Sequence, residues 1–209
     1  MAEKIYQIAT HRPLEAWYGL SKEEQDRLMG STTINRWSYA ATKALDEMLA
    51  LAYHREKKVP VVVVRCFNTC GPRQTGQYGM VVPRFVKQAL LGQAITVYGD
   101  GKQSRCFSSV FDIVEGVIAL ARSDRAVGRI FNIGSDKEIS IEDLANRVKE
   151  LTGSDSLVEY LPYEKAYEQG FEDMRRRVPD LERIREAVGY EPKVGLDELI
   201  LSVIAYFKR

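Results

Sequence analysis

Residues 60–67 read Pro-Val-Val-Val-Val-Arg-Cys-Phe, and this β-branched run constrains the fold more than any other segment of the chain. Its apolar residues do not alternate with polar ones, a pattern typical of a parallel strand covered on both faces. From Arg36 to about Lys57, apolar residues recur at helical spacing and predict a helix before the strand. The polar loop after the strand is where open α/β sheets place ligand-binding groups.

The rest of the chain alternates between helical and strand-like segments. Helices are predicted near residues 82–92, 112–121, 140–153, 180–189 and 196–207, and strands near 95–98, 106–110, 129–133 and 157–161. Asp112, with Glu115 three residues later, is expected to open its helix as a capping box. Gly189 is expected to end another helix. This alternation indicates the α/β class.

Composition narrows the possible functions. With 209 residues, 45% of them hydrophobic, the chain can bury a substantial core, and its net charge of +1 gives no field of one sign for nucleic acid or an anionic membrane. We recognise neither an apolar stretch of membrane-spanning length nor a signal peptide. Cys66, Cys70 and Cys106 lack companions for a metal site, so we expect reduced thiols, no bound metal and a cytoplasmic location.

Tyr39 and Lys43 lie one helical turn apart near the start of the first predicted helix. The same spacing occurs at three other places in the chain, so the spacing alone has little weight. A phenol with an ordinary pKa of about 10 is a weak base near neutral pH. An ammonium one turn away favours the phenolate and so makes the phenol a better base. The alternative is a tyrosine packed at a helix start beside a solvated lysine.

Several separated motifs resemble those of one enzyme family. They are Ser-Tyr-Ala-Ala-Thr-Lys at 38–43, Arg-Cys-Phe-Asn-Thr-Cys-Gly-Pro-Arg at 65–73, Tyr-Gly-Met-Val-Val-Pro-Arg-Phe at 78–85, Ile-Thr-Val-Tyr-Gly-Asp-Gly at 95–101 with Gln-Ser-Arg at 103–105, and Met-Arg-Arg-Arg-Val-Pro-Asp at 174–180. From Gly30 to its C-terminus the chain resembles the extended short-chain dehydrogenase/reductases, specifically their NAD-dependent NDP-sugar epimerase/dehydratase branch.

The resemblance implies an α/β fold, namely the C-terminal part of a Rossmann-type doubly wound parallel sheet with a smaller α/β substrate domain. Residues 36–67, 106–122 and 128–134 would form the incomplete sheet half. Residues 68–105 and 135–209 would form the NDP-sugar-binding half, and residues 1–35 an atypical N-terminal segment.

The resemblance also implies the roles of the site residues. Tyr39 would be the catalytic base with Lys43 as its cationic partner, and NAD would contact Tyr39, Lys43 and Phe67. Asn68 would hydrogen-bond the substrate diphosphate, although an asparagine there can instead satisfy its own turn. NAD is therefore the expected cofactor and a nucleotide-sugar, above all a UDP-sugar, the expected substrate.

Further substrate contacts follow from the later motifs. Arg105 would contact the diphosphate, a task suited to a bidentate cation. Arg177 would meet a phosphate and Asp180 a ribose hydroxyl; the alternatives are a solvated arginine run at 175–177 and an aspartate that caps its helix. The residues expected to border the nucleotide are Val82, Arg84 and Tyr98. The alternative is that they have only a structural role.

The front of the chain departs from the family pattern. No Gly-x-x-Gly-x-x-Gly motif occurs before residue 39, although such a turn normally holds the dinucleotide pyrophosphate. Pro13 and Leu14 stand where a catalytic Ser or Thr is expected, and Glu15 is a candidate for the acid of decarboxylating and dehydrating members. We therefore expect weak or no NAD binding by the 209 residues alone. The chain would be part of a split or truncated enzyme, a non-catalytic NDP-sugar-binding module, or a structural or interaction protein.

For the activity, the sequence favours UDP-hexose 4-epimerisation. Decarboxylation of UDP-glucuronate and dTDP-sugar 4,6-dehydration are the alternatives, since all three share an NAD-dependent oxidation of the sugar. Family members commonly dimerise through the helix that carries the Tyr and Lys. We therefore expect a homodimer through the helix from about Trp37 to Lys57, or a partner that supplies the N-terminal unit. An exposed strand edge would favour such association.

Overall fold

The computed structural model describes residues 21–24, 36–76, 80–163 and 175–209. The helices are α1 (Arg36–Lys57), α2 (Val81–Leu90), α3 (Val110–Ala121), α4 (Ile141–Thr152), α5 (Glu182–Val188) and α6 (Leu196–Phe207), with one 3-10 turn at Asp124–Ala126. The strands are β1 (Val63–Cys66), β2 (Thr69–Cys70), β3 (Ile95–Tyr98), β4 (Ser104–Cys106), β5 (Ser108–Ser109), β6 (Ile130–Ile133), β7 (Glu138–Ser140), β8 (Val158–Leu161) and β9 (Arg176–Arg177).

One core forms on the parallel pair of β1 and β6, in which Val63 lies opposite Ile130 and Cys66 opposite Ile133. Side chains from α3, α5 and β6 fill this core, and Val62 and Val64 pack against it. Because side chains alternate along a strand, Val63 and Arg65 face the other side, where Glu47 of α1 contacts Arg65. The sheet therefore has helices on both faces, which confirms the predicted α/β class.

A glycine in α3 allows that helix to approach the sheet closely. A Cβ atom at Gly116 would lie 2.5 Å from Cδ1 of Ile133 and 2.8 Å from Cδ2 of Tyr190. Tyr190 is buried, and its hydroxyl donates to the backbone oxygen of Gly134 at 2.9 Å. The aromatic ring thus fills the space that the absent side chain leaves, and α3 lies directly on β6.

A second core forms where α2, α4 and α6 pack together against the parallel pair of β3 and β8. Ser140 caps α4, since its Oγ accepts from the backbone nitrogen of Asp143 at 2.9 Å, and the helix ends at Gly153 with φ +65°. Residues 181–190 pack against the first core although the sequence assigns them to the substrate half. The domain boundaries stay a prediction.

Three local expectations need correction. Asp112 does not cap α3: the helix begins at Val110 with Ser109 as its cap, and buried Asp112 instead accepts a hydrogen bond from the backbone nitrogen of Val194 at 3.0 Å. The predicted strand at 106–110 is two short strands, β4 and β5, separated by one residue. Among the described residues, 61–65 are only half-buried, so β1 is not covered fully on both faces.

None of the helices in the described part of the chain combines the length and the apolar character that crossing a membrane requires.

Candidate functional site

A cavity of about 820 Å³ lies between α1 and β1. The residues of α1 that line the cavity recur at helical spacing, so one face of this helix borders it. Four of the predicted site residues, Tyr39, Lys43, Phe67 and Arg177, are among its lining residues. The full lining comprises Trp37, Tyr39, Ala40, Lys43, Asp46, Glu47, Ala50, Val62, Val63, Val64, Arg65, Cys66, Phe67 and Arg177.

Tyr39 and Lys43 occupy successive turns of α1 at one end of this wall. Tyr39 is 71% exposed, so its phenol is open to the cavity and to solvent. The Nζ of Lys43 lies 2.8 Å from Oδ2 of Asp46. The hydrogen bond to Asp46, and then the charge of that carboxylate, raise the pKa of Lys43 above its ordinary 10.5. Lys43 therefore stays cationic at neutral pH, as a partner of a phenolate must.

Phe67 closes the cavity at the carboxyl end of β1. Its ring is buried, its backbone nitrogen donates to the Ile133 oxygen at 2.9 Å, and its backbone oxygen accepts from Oγ of Ser108 at 3.1 Å. The guanidinium carbon of Arg177 lies 4.7 Å from the ring centroid, a cation–π arrangement. Arg177 thus joins the aromatic end of the cavity to the β4–β9 sheet.

Arg105 and Arg177 are separated by 72 positions in the sequence but are direct neighbours in the fold. They are paired in register on the parallel strands β4 and β9. Paired residues of adjacent strands extend to the same face of a sheet. Arg177 lines the cavity, whereas Arg105 does not and donates from Nη1 to the backbone oxygen of Ser104 at 2.6 Å. That the two cations hold a diphosphate stays a prediction.

The two preceding arginines differ from Arg177. Arg175 pairs with Asp100 at 2.6 Å, and Arg176 forms a bidentate pair with Glu138. At positions 175 and 176 these pairs agree with the alternative interpretation, in which the arginines belong to the solvated surface. Arg177 alone of the three lines the cavity.

Asn68 lies in the left-handed backbone region with φ +36°, directly after Phe67. Its Nδ2 donates to the backbone oxygen of Cys106, at the end of β4, at 2.7 Å and not within its own turn. Its backbone oxygen accepts from the nitrogen of Ser108 at 3.2 Å. One of the two amide N–H groups is thus used to fix the loop. Whether the amide also contacts a phosphate stays a prediction.

The predicted nucleotide-border residues form a separate group that does not line the cavity. The guanidinium carbon of Arg84 lies 4.1 Å from the ring centroid of Tyr98, and its Nη2 donates to the oxygen of Thr96 at 3.0 Å. The side chain of Val82 is fully buried in the second core. Val82 therefore has no exposed surface, and its contact with a nucleotide stays a prediction.

Asp180 is engaged at the start of α5. Its Oδ1 accepts from the backbone nitrogen of Glu182 at 2.9 Å, and its Oδ2 lies 3.7 Å from Nζ of Lys22. Asp180 thus satisfies the backbone nitrogen of the first helical residue, in part as a cap would, although Leu181 holds the N-cap position. The ribose contact stays a prediction. Pro13, Leu14 and Glu15 lie outside the described residues.

Sequence reasoning missed an ion pair in the cavity wall. Nε and Nη2 of Arg65 donate to Oε1 and Oε2 of Glu47 at 3.0 and 2.8 Å. Both side chains are largely buried, with 19% of Arg65 and 14% of Glu47 exposed. Two spacings in the sequence could have indicated this pair. Glu47 follows Lys43 by one helical turn, and Arg65 precedes Phe67 by two residues, so each lies near a predicted site residue.

The fold and the cavity define an α/β protein with a Tyr–Lys pair beside a parallel strand, as in the short-chain dehydrogenase/reductase class. A family model described as GDP-mannose 4,6 dehydratase matches residues 3–203, and the chain belongs to this family of NDP-sugar epimerases and dehydratases. This finding confirms the family expected from the motifs.

Individual relatives fit the same family. The chain is 43% identical over 187 residues to UDP-N-acetyl-alpha-D-glucosaminuronate decarboxylase of Bacillus cytotoxicus, covering 89% of this chain and 58% of the relative. It is 37% identical over 174 residues to UDP-glucuronic acid decarboxylase 1 of Xenopus tropicalis, covering 83% of this chain and 39% of the relative.

Solved structures agree on the fold. A UDP-glucuronic acid 4-epimerase from Bacillus cereus in complex with NAD has a TM-score of 0.77 at 25% identity, over 91% of this chain and 56% of that one. A UDP-glucose 4-epimerase from Thermotoga maritima with UDP-glucose has a TM-score of 0.73 at 31% identity, over 81% and 53% of the chains. The chain thus spans about half the length of the relatives it matches.

Proposed function

We propose that this chain binds a UDP-uronic acid and supplies the Tyr39–Lys43 pair for an NAD-dependent decarboxylation of the sugar. The proposal rests on the cavity, because four groups line it together. They are the phenol of Tyr39, the ammonium of Lys43, the ring of Phe67 and the guanidinium of Arg177. The substrate class rests on similarity to decarboxylases of UDP-glucuronate and its N-acetylamino analogue.

The cavity wall fits the nicotinamide end of NAD. A cationic Lys43 and an exposed Tyr39 phenol lie on one wall, and the edge of a buried aromatic ring lies at the strand end. An ammonium can bind ribose hydroxyls, and an aromatic ring can pack against a nicotinamide. Tyr39, Lys43 and Phe67 would therefore hold this part of the dinucleotide. When bound, NAD supplies a hydride acceptor for oxidation of the sugar.

Tyr39 would move the proton of the reacting hydroxyl. As the C4 hydroxyl becomes a ketone, its proton passes to the Tyr39 oxygen, and the ammonium of Lys43 stabilises the phenolate that accepts it. A C4 ketone is β to the carboxylate carried on C5, so CO₂ can leave with its bonding electrons delocalised onto the C4 oxygen. The enolate that results takes a proton from solvent at C5 and becomes the C4 ketone again. Tyr39 then returns its proton to the C4 oxygen as the hydride is given back to C4.

The substrate diphosphate would bind at the strand ends next to the cavity. Arg105 and Arg177 offer two cations on one face of the β4–β9 sheet, and Asn68 has a second amide N–H beyond the one given to Cys106. Because Arg177 also lies over Phe67, this arrangement would hold the phosphates close to the reacting end of the cavity.

Epimerisation at C4 is the second candidate and the one that the sequence favoured. It has support from the similarity to a UDP-glucuronic acid 4-epimerase, although at 25% identity against 43% for the decarboxylase relative. It would use the same Tyr39 and Lys43, and the two reactions differ only after the ketone has formed.

One experiment distinguishes the candidates. The 209-residue chain is incubated with millimolar NAD and UDP-glucuronate labelled with ¹³C throughout the sugar, and the products are followed by ¹³C NMR. Labelled bicarbonate with a UDP-pentose supports the decarboxylase, whereas a UDP-uronate inverted at C4 supports the epimerase. The N-acetylamino analogue and dTDP-glucose are run in parallel. If the chain binds UDP in calorimetry but shows no turnover, the result supports the interpretation of the chain as a non-catalytic binding module.

A further inference from the structure

The Glu47–Arg65 pair joins the two walls of the cavity. On α1, Glu47 follows Lys43 by four residues and Tyr39 by eight, which is about 6 and 12 Å along a helix. All three side chains line the cavity. On the other wall, Arg65 lies on β1, and Phe67 follows the last residue of that strand; both line the cavity. The pair therefore connects the helix face that carries the Tyr–Lys pair to the strand that precedes Phe67.

Arg65 is held from more than one direction. Besides its two bonds to Glu47, its Nη1 donates to the backbone oxygen of Glu23 at 3.1 Å. The buried carboxylate of Glu23 in turn accepts from the backbone nitrogen of Asn132 at 2.9 Å. Asn132 lies opposite Arg65 on β6. The guanidinium is thus anchored to both strands of the sheet, and Glu47 is the point at which α1 is attached to this anchor.

A largely buried, hydrogen-bonded pair in this position restricts the geometry of the two walls more than an exposed ion pair would. Its planar bidentate geometry restricts both the distance and the rotation between the two groups. Largely buried pairs contribute little net stability, because desolvation offsets their attraction. Their clearest use is to select one arrangement of the elements that they join.

We infer that Glu47 and Arg65 are positioning residues, which fix the height and rotation of α1 over β1 and thereby the place of Tyr39 and Lys43 relative to Phe67. The consequence for catalysis rests on the proposed function, but the positioning itself does not. Misplacing a reacting group by about 1 Å can cost on the order of 100-fold in rate.

The test measures how the chemical environment of residue 39 changes when the pair is altered. A single fluorotyrosine is incorporated at position 39, and ¹⁹F NMR spectra are compared for the unmodified chain, Glu47→Gln and Glu47→Asp. The matched control is Asp197→Asn, which breaks the bidentate pair of Arg147 and Asp197 between α4 and α6, away from the cavity. Unfolding midpoints are measured for every variant.

We expect Glu47→Gln to shift or split the ¹⁹F resonance, Glu47→Asp to do so less, and Asp197→Asn to leave it unchanged. With UDP-glucuronate and NAD, kcat of Glu47→Gln should fall by about 10- to 100-fold while KM for the UDP-sugar stays within about twofold, because the proposed phosphate contacts lie elsewhere. If Glu47→Gln does not fold, Arg65→Lys, which keeps the charge and loses the bidentate geometry, takes its place.

The outcomes separate the two proposals. No turnover by the unmodified chain, together with a resonance that responds to Glu47→Gln but not to Asp197→Asn, defeats the proposed function and supports the positioning role. A folded Glu47→Gln or Arg65→Lys variant with an unchanged resonance overturns the positioning role, whatever the activity. An equal response to Asp197→Asn also overturns it, since the effect would then be general loosening.

Discussion

Lys43 donates a hydrogen bond of 2.8 Å to Asp46, on the same face of α1 that presents Tyr39 to the cavity. The lysine is therefore held by a carboxylate of its own helix. A ligand hydroxyl or a phenolate that recruits this ammonium has to compete with Asp46. Both partners are more than half exposed, and exposed pairs are weak, so such an exchange costs little.

Asp46→Asn should lower the pKa of Lys43 toward its ordinary 10.5, because Asp46 is the main cause of the increase. A lysine with a raised pKa contributes stability below its unfolded pKa and loses that contribution as the pH rises through its folded pKa. The variant should therefore be slightly less stable than the unmodified chain near neutral pH, and this difference should disappear in alkaline solution as Lys43 loses its proton. Titration of the Lys43 side chain by NMR measures the shift, and an unchanged pKa would contradict the assignment.

Tyr39→Phe should abolish turnover without unfolding the chain. The phenol is largely exposed, so its removal leaves no cavity in either core. Loss of a positioned acid–base group lowers kcat by about 100- to 10,000-fold. Steady-state assays with UDP-glucuronate and NAD measure the loss, and calorimetry should give the same UDP affinity as before. Tyr53→Phe, an exposed tyrosine on the same helix but outside the cavity lining, is the matched control.

Arg105→Ala and Arg177→Ala should each weaken UDP binding. Loss of a charge-assisted contact to phosphate costs about 1.5–3 kcal/mol, or roughly 10- to 100-fold in affinity. Arg175→Ala should change the affinity by less than about twofold, because Arg175 pairs with Asp100 and precedes the strand on which Arg177 lies beside Arg105. Isothermal titration with UDP compares the three. Equal losses in all of them would indicate a general charge effect and count against a built diphosphate site.

Stability should fall as the pH rises from about 9 toward 12. Burial raises the pKa of the Cys70 thiol from 9.0 to about 12, so the unfolded chain releases this proton at a lower pH than the folded one. The unfolded state then binds fewer protons, and Cys70 by itself removes about 1.4 kcal/mol from the free energy of unfolding for each pH unit. Cys106, whose pKa burial also raises to about 12, adds to the slope. Urea unfolding of the unmodified chain and of Cys70→Ala measures the two slopes. Parallel slopes would show that Cys70 is not responsible.

The sequence predicts those parts of the fold that depend on local periodicity and capping. The bounds of α1 and α6, the Ser140 cap of α4 and the end of α5 at Gly189 agree with the structure. These features arise within one or two helical turns, so the local residues determine them.

The missed features depend on contacts between distant residues. The strands β2, β7 and β9 contain two or three residues each and exist only because a partner strand lies beside them. The Glu47–Arg65 pair joins residues 18 positions apart. The register of Arg105 with Arg177 depends on the three-stranded sheet as a whole, and no local pattern in the sequence specifies it.

The exposed apolar face of α1 leads to a prediction of self-association. Leu45, Met48 and Leu49 are 54%, 65% and 50% exposed, and Tyr53 extends the same stripe. An apolar stripe of this kind on a helix is typical of an interface. Its helix is also the one through which the sequence predicted a homodimer, and we expect two copies to pair through it.

Met48→Lys should convert such a dimer to a monomer, because it places a charge at the centre of the buried stripe, whereas it should leave the unfolding of the separated chain nearly unchanged. Leu157→Lys, at a residue that is 70% exposed outside α1, is the matched control and should leave the dimer intact. Light scattering across a dilution series measures both. A stable monomer of the unmodified chain at tens of micromolar would rule out the predicted pairing, and dissociation by Leu157→Lys instead of Met48→Lys would move the interface away from α1.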